Sequence, residues 1–302
     1  MWKYKGRGRD KQVDALFRSA LEAARGDARA ARLYAQVLSA REKWEELATV
    51  LLAAADGAAE REEKVQLLVR AARVLAKELG DRARAAATYE RILELHPNHA
   101  RSMSWLVGHY MEAQDWDRLV ALYEDALRAR NKLDDEAGGL LQLGMVHWRF
   151  RESPAEAEPY FARLRKMDPG HPGMLDFYRA YYAEDEDPQQ LVKILTDAQR
   201  GASGDDQRLG LAIELAEAAT LAGQDERAID AWKTVLRHDP KNAQAPRELR
   251  GLYERSEKWN ALVEVLKAEV DAVPEDEPAR KVALLRELLP VYRDRLGLDV
   301  MV

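Results

Sequence analysis

The stretch ERILELHPNHA, residues 90–100, joins an apolar helical segment to a break centred on proline. The chain repeats this phrase as ARLRKMDPGHP at residues 162–172 and as KTVLRHDPKNA at residues 233–243. Successive copies lie 71 or 72 residues apart, so the phrase belongs to an internal repeat. Self-similarity at a fixed period is typical of repeat architectures, in which each unit completes the core of its neighbour.

Other positions keep the same step over more than 200 residues. One column is aromatic, a second is apolar, a third is tryptophan in three of four copies, and a fourth is always leucine. The prolines Pro97, Pro169 and Pro240 also follow this step. In that order, the four columns are Phe17, Tyr89, Phe161 and Trp232; Leu38, Tyr110, Tyr182 and Tyr253; Trp44, Trp116, Pro188 and Trp259; and Leu47, Leu119, Leu191 and Leu262.

The hydrophobic period inside each block is that of a helix. Val65, Leu68, Ala72 and Leu75 alternate steps of three and four residues, which places them on one stripe. Segments rich in Gly, Pro, Asp or Asn interrupt the stripes, as helix ends require. The pattern predicts about sixteen helices of roughly 12 to 20 residues, paired into about eight hairpins. Because one such hairpin cannot bury its own apolar stripe, we expect an all-α solenoid with a continuous core.

The stretch LAIELAEAATLAGQDERAIDAWKTVLRHDP, residues 211–240, resembles the tetratricopeptide repeat family. Gly223 occupies the turn, and Ala228 and Trp232 occupy packing positions of the second helix, which ends before Pro240. Residues 79–97 and 155–169 carry the same second-helix pattern. The hairpins between them begin their second helix with W-x-x-L and lack the closing proline. Two hairpin types therefore alternate, which explains a period of 72 residues in place of 36.

The resemblance covers most of the chain and implies a right-handed superhelix that binds proteins or peptides. It implies neither catalysis nor a cofactor. The leading hypothesis for function is therefore a non-enzymatic interaction scaffold. Two alternatives remain open: an array that associates with itself through its terminal helices, and the helical arm of a larger enzyme or signalling protein.

Composition excludes several other classes. The 302 residues include 47% hydrophobic and 33% charged residues, which is typical of a folded, non-membrane protein. A net charge of −6 disfavours nucleic acid as the main ligand. No cysteine is present, so disulfides and thiolate metal sites are excluded. No apolar run approaches the length of a membrane span, and no signal peptide is recognisable, so the default location is the cytoplasm.

No catalytic or metal-binding pattern is recognisable. His96 and His99 flank Pro97 with a spacing that metal sites also use, but no H-E-x-x-H motif occurs. Histidines at helix ends explain the pair better. The serines lie outside any G-x-S-x-G turn, and no phosphate-binding loop follows GRGR at residues 6–9.

The family resemblance places the first helix of each hairpin on the concave face. Residues carried over to that face are basic in the N-terminal part of the chain and mostly acidic in the C-terminal part. We therefore expect an extended or helical peptide to place its acidic end on the arginines. The Asn-containing carboxylate clamp of some relatives is absent from these rows. The candidate partner-binding residues are Arg29, Arg32, Gln36, Arg70, Lys77, Arg101, Ser104, Gln142, Arg149, Asp176, Glu217, Arg247 and Glu254, with Val74, Met111, Glu287 and Asp294 in the same rows.

The termini suggest how the array is organised. Residues 1–10 form a basic leader, for which RNA or anionic lipid is a weaker interpretation than a solvated tail. Residues 11–302 are predicted to form one solenoid, a segment of a longer array. Residues 11–24 resemble a second helix without its first, and residues 279–296 a first helix without its second. We expect the latter to expose Leu284, Leu285, Leu288 and Val291, and Pro159 and Pro290 to bend their helices.

Overall fold

The computed structural model describes residues 28–129, 135–184 and 187–298, together with Gln12, Ala15, Leu16 and Ser19. Within these ranges, residues 28–30 and 184 are described by their backbone alone. The chain divides into two compact units, residues 1–152 and 153–302. The described residues contain fifteen α-helices and no β-strand. The predicted helix over residues 11–24 and the basic leader lie outside the described residues, apart from the four named above.

Unit 1 contains seven of these helices, and unit 2 contains eight. The last helix of each unit continues into a π-helical turn, Val146–Phe150 in unit 1 and Val291–Arg295 in unit 2. The helices of unit 1 are α1 (Ala28–Ala40), α2 (Trp44–Gly57), α3 (Arg61–Lys77), α4 (Arg82–Leu95), α5 (Ala100–Ala113), α6 (Trp116–Arg128) and α7 (Glu136–Met145). Those of unit 2 are α8 (Pro154–Met167), α9 (Pro172–Glu184), α10 (Pro188–Gly201), α11 (Asp205–Leu221), α12 (Asp225–His238), α13 (Gln244–Arg255), α14 (Trp259–Asp271) and α15 (Pro278–Pro290).

The predicted helical stripes become the core. In α3, Val65, Leu68, Ala72 and Leu75 are buried, whereas Arg70 on the opposite side is exposed. Within each unit, a helix packs mainly against the helices that precede and follow it in the sequence. Nearest-neighbour packing of this kind defines a solenoid, so the predicted all-α solenoid of helical hairpins is confirmed. The prediction that residues 11–302 form a single solenoid stays a prediction.

Two kinds of hairpin alternate, as the sequence predicts. We call those that end at the repeated prolines proline hairpins; α3/α4 and α11/α12 are examples. We call those whose second helix begins at the tryptophan column tryptophan hairpins; α1/α2, α5/α6 and α13/α14 are examples, and α9/α10 has Pro188 at that position. The two kinds differ in the turn between their helices and in the ring that packs against the next hairpin.

The turn after seven of the eight first helices passes through a left-handed residue; residues 185 and 186, after α9, lie outside the described residues. In the tryptophan hairpins, the next residue's N–H donates to the carbonyl five positions back: Lys43 to Leu38 at 3.0 Å and Lys258 to Tyr253 at 2.8 Å. This is the Schellman motif, which satisfies carbonyls left free at a helix end. The residue of the second repeat column accepts this hydrogen bond, and the tryptophan directly follows the donor. The second column therefore precedes the tryptophan column by six residues. The left-handed residues are Glu42, Gly80, Gln114, Glu152, Gly223, Glu257 and Gly297.

Aromatic rings connect consecutive hairpins, as the sequence predicts. Tyr89 of α4 lies 4.7 Å from Trp105 of α5, measured between ring centroids. In unit 2, Phe161 of α8 stacks on Phe177 of α9 at 4.2 Å. The small residues Ala85, Ala157 and Ala228 are completely buried, so their helices approach closely at these points. Ring and alanine together set the spacing between hairpins.

The last helix corrects one expectation. Leu288 of α15 is buried, and Leu284 is half-buried, because this side of the helix packs against α14. Leu285 is exposed as predicted, Val291 is half-buried, and Val282 and Leu289 are exposed in addition. Pro290 ends α15, and the π-helical turn follows it directly, while Pro159 lies inside α8.

Candidate interaction surface

The first helices of the hairpins present a surface that the sequence predicts as the binding face. We call it the first-helix face, formed in unit 1 by α1, α3, α5 and α7 and in unit 2 by α9, α11, α13 and α15. Ion pairs and hydrogen bonds between successive first helices show that they are neighbours. Arg32 of α1 pairs with Glu63 of α3 at 2.6 Å, and Arg179 of α9 pairs with Glu214 of α11 at 2.8 Å.

Every predicted binding residue with a described side chain is exposed. The side chain of Arg29 lies outside the described residues. Exposure makes these residues accessible to a partner, but which of them contact one stays a prediction. The exposed residues are Arg32, Gln36, Arg70, Lys77, Arg101, Ser104, Gln142 and Arg149 in unit 1, and Asp176, Glu217, Arg247 and Glu254 in unit 2.

The basic residues of unit 1 differ in whether a carboxylate neutralises them. Arg32 is paired with Glu63. Across the described part of the chain, no carboxylate lies within ion-pair distance of Arg70, Lys77 or Arg101. These three side chains therefore leave positive charge on α3 and α5 available to an anionic partner.

An aromatic strip lies beside these cations. Trp105 packs between Tyr89 at 4.7 Å and His109 at 5.1 Å. Burial raises the pKa of Tyr89, and the positive charges of Arg73 on α3 and Arg101 on α5 act in the opposite direction. Both guanidinium groups are therefore close enough to influence the same phenol. Sequence reasoning missed Arg73, Trp105 and His109, although Arg73 lies on the same exposed side of α3 as Arg70 and Lys77.

Gly108 gives this strip an open edge. It is exposed in the middle of α5, and a Cβ atom added there meets nothing within 4 Å. An exposed glycine inside a helix costs about 0.5–1 kcal/mol relative to alanine. Packing inside the chain does not require this glycine, so the position leaves room for a group that approaches the helix backbone.

The first-helix face of unit 2 is built differently, because its charges are largely paired within the chain. Asp176 accepts a hydrogen bond from Arg179 at 2.6 Å, and Glu217 accepts one from Gln244 at 3.1 Å. Arg250 of α13 reaches both Glu269 of α14 and Glu287 of α15. Asp176 is therefore paired within its own helix, while Glu217 and Glu287 take part in contacts between neighbouring first helices.

A search for other kinds of site gives two further observations. Within the described ranges, no three His, Asp or Glu side chains are grouped so that they could hold a metal ion. His99, considered above as half of a pair, instead caps α5: its Nδ1 accepts a hydrogen bond from the N–H of Ser102 at 3.2 Å. None of the described helices is both long and apolar enough to cross a membrane.

Comparison with known families decides what these hairpins are. Two tetratricopeptide repeat models match the chain, one over residues 66–99 and the other over residues 106–137. These two segments are tetratricopeptide repeats. The first match covers most of α3 and all of α4, a proline hairpin. The second covers most of α5 and all of α6, a tryptophan hairpin. Both hairpin types of this tetratricopeptide repeat protein are therefore recognised, including the one that departs from the family pattern.

Solved structures of other helical repeat proteins are similar to this chain at low identity. The C-terminal part of a tetratricopeptide repeat protein from Cytophaga hutchinsonii is 17% identical, with 79% of this chain and 94% of that chain covered and a TM-score of 0.40. Yeast Tom70 is 16% identical, with 88% of this chain and 59% of that chain covered and a TM-score of 0.32. The TPR2AB domain of yeast Sti1, in a complex with pHSP90, is 16% identical, with 89% and 98% covered and a TM-score of 0.35.

At these identities, the likeness concerns the fold alone. This chain spans about three fifths of the Tom70 chain. The comparison with curated proteins gives no significant match.

Proposed function

We propose that this tetratricopeptide repeat protein is a non-enzymatic scaffold that binds a protein or peptide partner on its first-helix face. We further propose that an acidic stretch of the partner lies on Arg70 and Arg101 of unit 1. The observation that carries the proposal is the unneutralised Arg101 beside Trp105 and His109, together with the unneutralised Arg70 on the first helix α3. Guanidinium groups bind carboxylates by forked hydrogen bonds, and the half-buried rings of Trp105 and His109 add apolar contact area.

A selection from a random 12-residue peptide library displayed on phage tests this proposal, because such a library samples acidic, basic and apolar peptides alike. We expect the selected peptides to be enriched in Asp and Glu. Replacing Arg70 and Arg101 together by Glu should weaken the binding of those peptides by about tenfold or more, because it places like charges opposite each other.

The matched control reverses two exposed arginines on second helices, Arg128 of α6 and Arg200 of α10. This variant carries the same change in net charge and should bind the selected peptides with unchanged affinity. Selected peptides that lack acidic residues, or equal weakening by both double variants, would contradict the proposed site.

The alternatives from the sequence stay predictions. Association through the terminal helices needs residues 11–24, which are mostly outside the described residues, although α15 does expose Val282, Leu285 and Leu289. Sedimentation velocity over a hundredfold range of concentration tests this alternative through a mass that rises with concentration. A role as the helical arm of a larger protein, and location in the cytoplasm, also stay predictions.

A further inference from the structure

A groove lies between the second helices α4 and α6, and the first-helix face does not include it. Its volume is about 460 Å³. The buried ring of Tyr110, from α5, contributes to its lining, and the hydroxyl group of Tyr110 donates a hydrogen bond to Glu90. The lining residues are Glu90, Leu93 and Glu94 on α4, Pro97 just after it, Tyr110 on α5, and Arg118, Ala121, Leu122, Asp125 and Ala126 on α6.

The corresponding space between α2 and α4 is bridged by ion pairs. Arg84 of α4 binds both carboxylate oxygens of Glu45 of α2, at 2.6 and 2.8 Å. Arg91 of α4 pairs with Asp56 at the end of α2. Among the described residues, no ion pair crosses between α4 and α6. The same helix α4 is therefore tied to its neighbour on one side and borders an open groove on the other.

The shape of the groove fits a helix. Its α6 wall extends from residue 118 to residue 126, and the facing wall extends from residue 90 of α4 to Pro97, which follows the end of that helix. At 1.5 Å per residue, the α6 wall is about 12 Å long, or two helical turns. Leu93 and Leu122 are only half-buried, and Ala121 is exposed. Apolar side chains of a docked helix would remove this surface from water, as in other helix-in-groove complexes.

The charges around the groove favour a basic partner. Three carboxylates, on Glu90, Glu94 and Asp125, and one cation, Arg118, line the groove, and Asp125 pairs with Arg128 at 3.3 Å. Arg118 already has contacts within the chain: its guanidinium lies 3.5 Å from Asp115 and 6.0 Å from the centroid of the Tyr110 ring. Glu94 is exposed at the rim, and no cation lies within ion-pair distance of it among the described residues.

We propose that the groove between α4 and α6 binds a short amphipathic helix of a partner protein, with two leucine-sized side chains in the groove and a lysine or arginine beside Glu94. This second docking surface is independent of the first-helix face and of the acidic partner proposed for it. The two surfaces carry opposite charge, so one scaffold can hold two chemically different segments at the same time.

A synthetic probe tests the groove directly. The probe is a fluorescein-labelled 15-residue helical peptide with two leucines one turn apart and lysines on the flanking positions. A second probe has glutamates in place of the lysines. Fluorescence anisotropy with the full chain should show binding of the lysine probe and, at equal concentration, about tenfold weaker binding or none for the glutamate probe.

Three variants localise that binding. In Ala121→Arg, a long side chain lies in the groove, and the affinity for the lysine probe should fall about tenfold or more. In Glu94→Lys, the groove keeps its shape but the charge at its rim reverses. The ratio of the affinity for the lysine probe to that for the glutamate probe should therefore decrease. Ala268→Arg is the matched control: it makes the same substitution at an exposed alanine of α14, a second helix of unit 2 that does not line the groove.

Circular dichroism and thermal unfolding establish that each variant is folded, which the exposure of all three positions favours. Equal affinity of Ala121→Arg and Ala268→Arg for the lysine probe overturns the proposal, and so does a glutamate probe that binds as tightly as the lysine probe. None of these variants changes Arg70 or Arg101. Failure of the groove proposal therefore does not affect the first-helix proposal, and failure of the first-helix proposal does not affect the groove proposal.

Discussion

The hairpins α11/α12 and α13/α14 of unit 2 form the same turn between their helices with different residues. Both make the Schellman hydrogen bond between their helices, from Gln224 to Ala219 at 2.9 Å in the proline hairpin and from Lys258 to Tyr253 at 2.8 Å in the tryptophan hairpin. The left-handed residue is Gly223 in the former and Glu257 in the latter. An L-residue with a Cβ is disfavoured in that conformation, so only the proline hairpin has the residue best suited to its turn.

The rings of the two hairpins also differ in depth. Trp232 of α12 is only 1% exposed, whereas Trp259 at the start of α14 is half-buried beneath the guanidinium of Arg295, 4.7 Å from the ring centroid. Unit 1 repeats the contrast: Tyr89 is buried beside Trp105, and Trp116 lies half-buried against Phe150 at 4.6 Å. Rings of proline hairpins fill the core, while those of tryptophan hairpins rest on the last turn of the next first helix.

The largest expected effect is therefore at Trp232. Replacing Trp232 by Ala should lower the free energy of unfolding by about 3–5 kcal/mol, because it removes a fully buried ring and leaves a cavity. Replacing Trp259 by Ala should cost only about 1–2 kcal/mol, because water already reaches that ring. Urea unfolding followed by circular dichroism measures both values.

Trp232→Phe separates the volume of the ring from its polarity. The indole N–H of Trp232 has no hydrogen-bond acceptor, so the loss of that group should add nothing to the cost of the smaller ring. We expect a cost of about 1.5 kcal/mol or less for this exchange. In Trp232→Ala, amide hydrogen exchange should become faster mainly in α11, α12 and α13, because α12 packs directly against the other two helices. Equal costs for Trp232→Ala and Trp259→Ala would remove the distinction between the two kinds of ring.

Sequence pattern predicted the parts of this fold that depend on burial. The columns of Tyr89, Phe161 and Trp232 could be recognised because a core position admits few side chains, and each copy of the repeat preserves the type. The turns were harder, because a left-handed glycine such as Gly223 is visible in a sequence, whereas Glu257 in the same conformation is not. The sequence could not show that Arg179 of α9 pairs with Glu214 of α11, because a pattern of charge does not reveal which residues meet across helices.

The two proposed binding surfaces differ in the same respect. Arg70 and Arg101 were predicted because the family resemblance places the first helix of each hairpin on the concave face. The groove between α4 and α6 was missed, because it depends on a missing ion pair. Arg84 and Arg91 bridge α4 to α2, but nothing in the spacing of residues along α6 indicates that a similar bridge is absent there. A site that depends on the absence of a contact cannot be recognised from a sequence motif.

The turns give a second, smaller effect. Gly223→Ala should lower the free energy of unfolding by about 1 kcal/mol, because alanine is strained at a φ of 67°. Glu257→Gly should raise the free energy of unfolding by about 0.5–1 kcal/mol, because glycine relieves that strain. The greater conformational entropy of glycine in the unfolded chain cancels only part of this gain. The shift of the urea midpoint measures both. Destabilisation by Glu257→Gly would show that the glutamate side chain makes a contribution that outweighs the backbone strain.

The smallest expected effect concerns the caps that begin the first helices of tryptophan hairpins. Asn242 caps α13 by accepting hydrogen bonds from Gln244 N–H at 3.1 Å and Ala245 N–H at 3.0 Å. His99 holds the corresponding position before α5 and accepts from Ser102 N–H through Nδ1. At His171, before α9, the buried Nδ1 has no partner. Three copies of one position therefore provide a strong cap, a cap that can be protonated, and an unused acceptor.

Only the cap at His99 should respond to pH. Burial lowers the pKa of His99 below its ordinary value of 6.5, with smaller contributions from the charges of His96 and Arg101. The folded state therefore binds the proton less readily than the unfolded state, so the stability from this group is complete above pH 6.5 and is lost as the pH falls below it. His99→Asn keeps an acceptor at the cap and removes the titration, so its urea midpoint should fall less between pH 7.5 and pH 5 than that of the wild type. The difference should stay below about 1 kcal/mol, since water screens a partly exposed ring. An identical pH dependence in His99→Asn and the wild type would mean that the imidazole does not act as a cap, and it would leave Asn242 as the stronger model for how these helices begin.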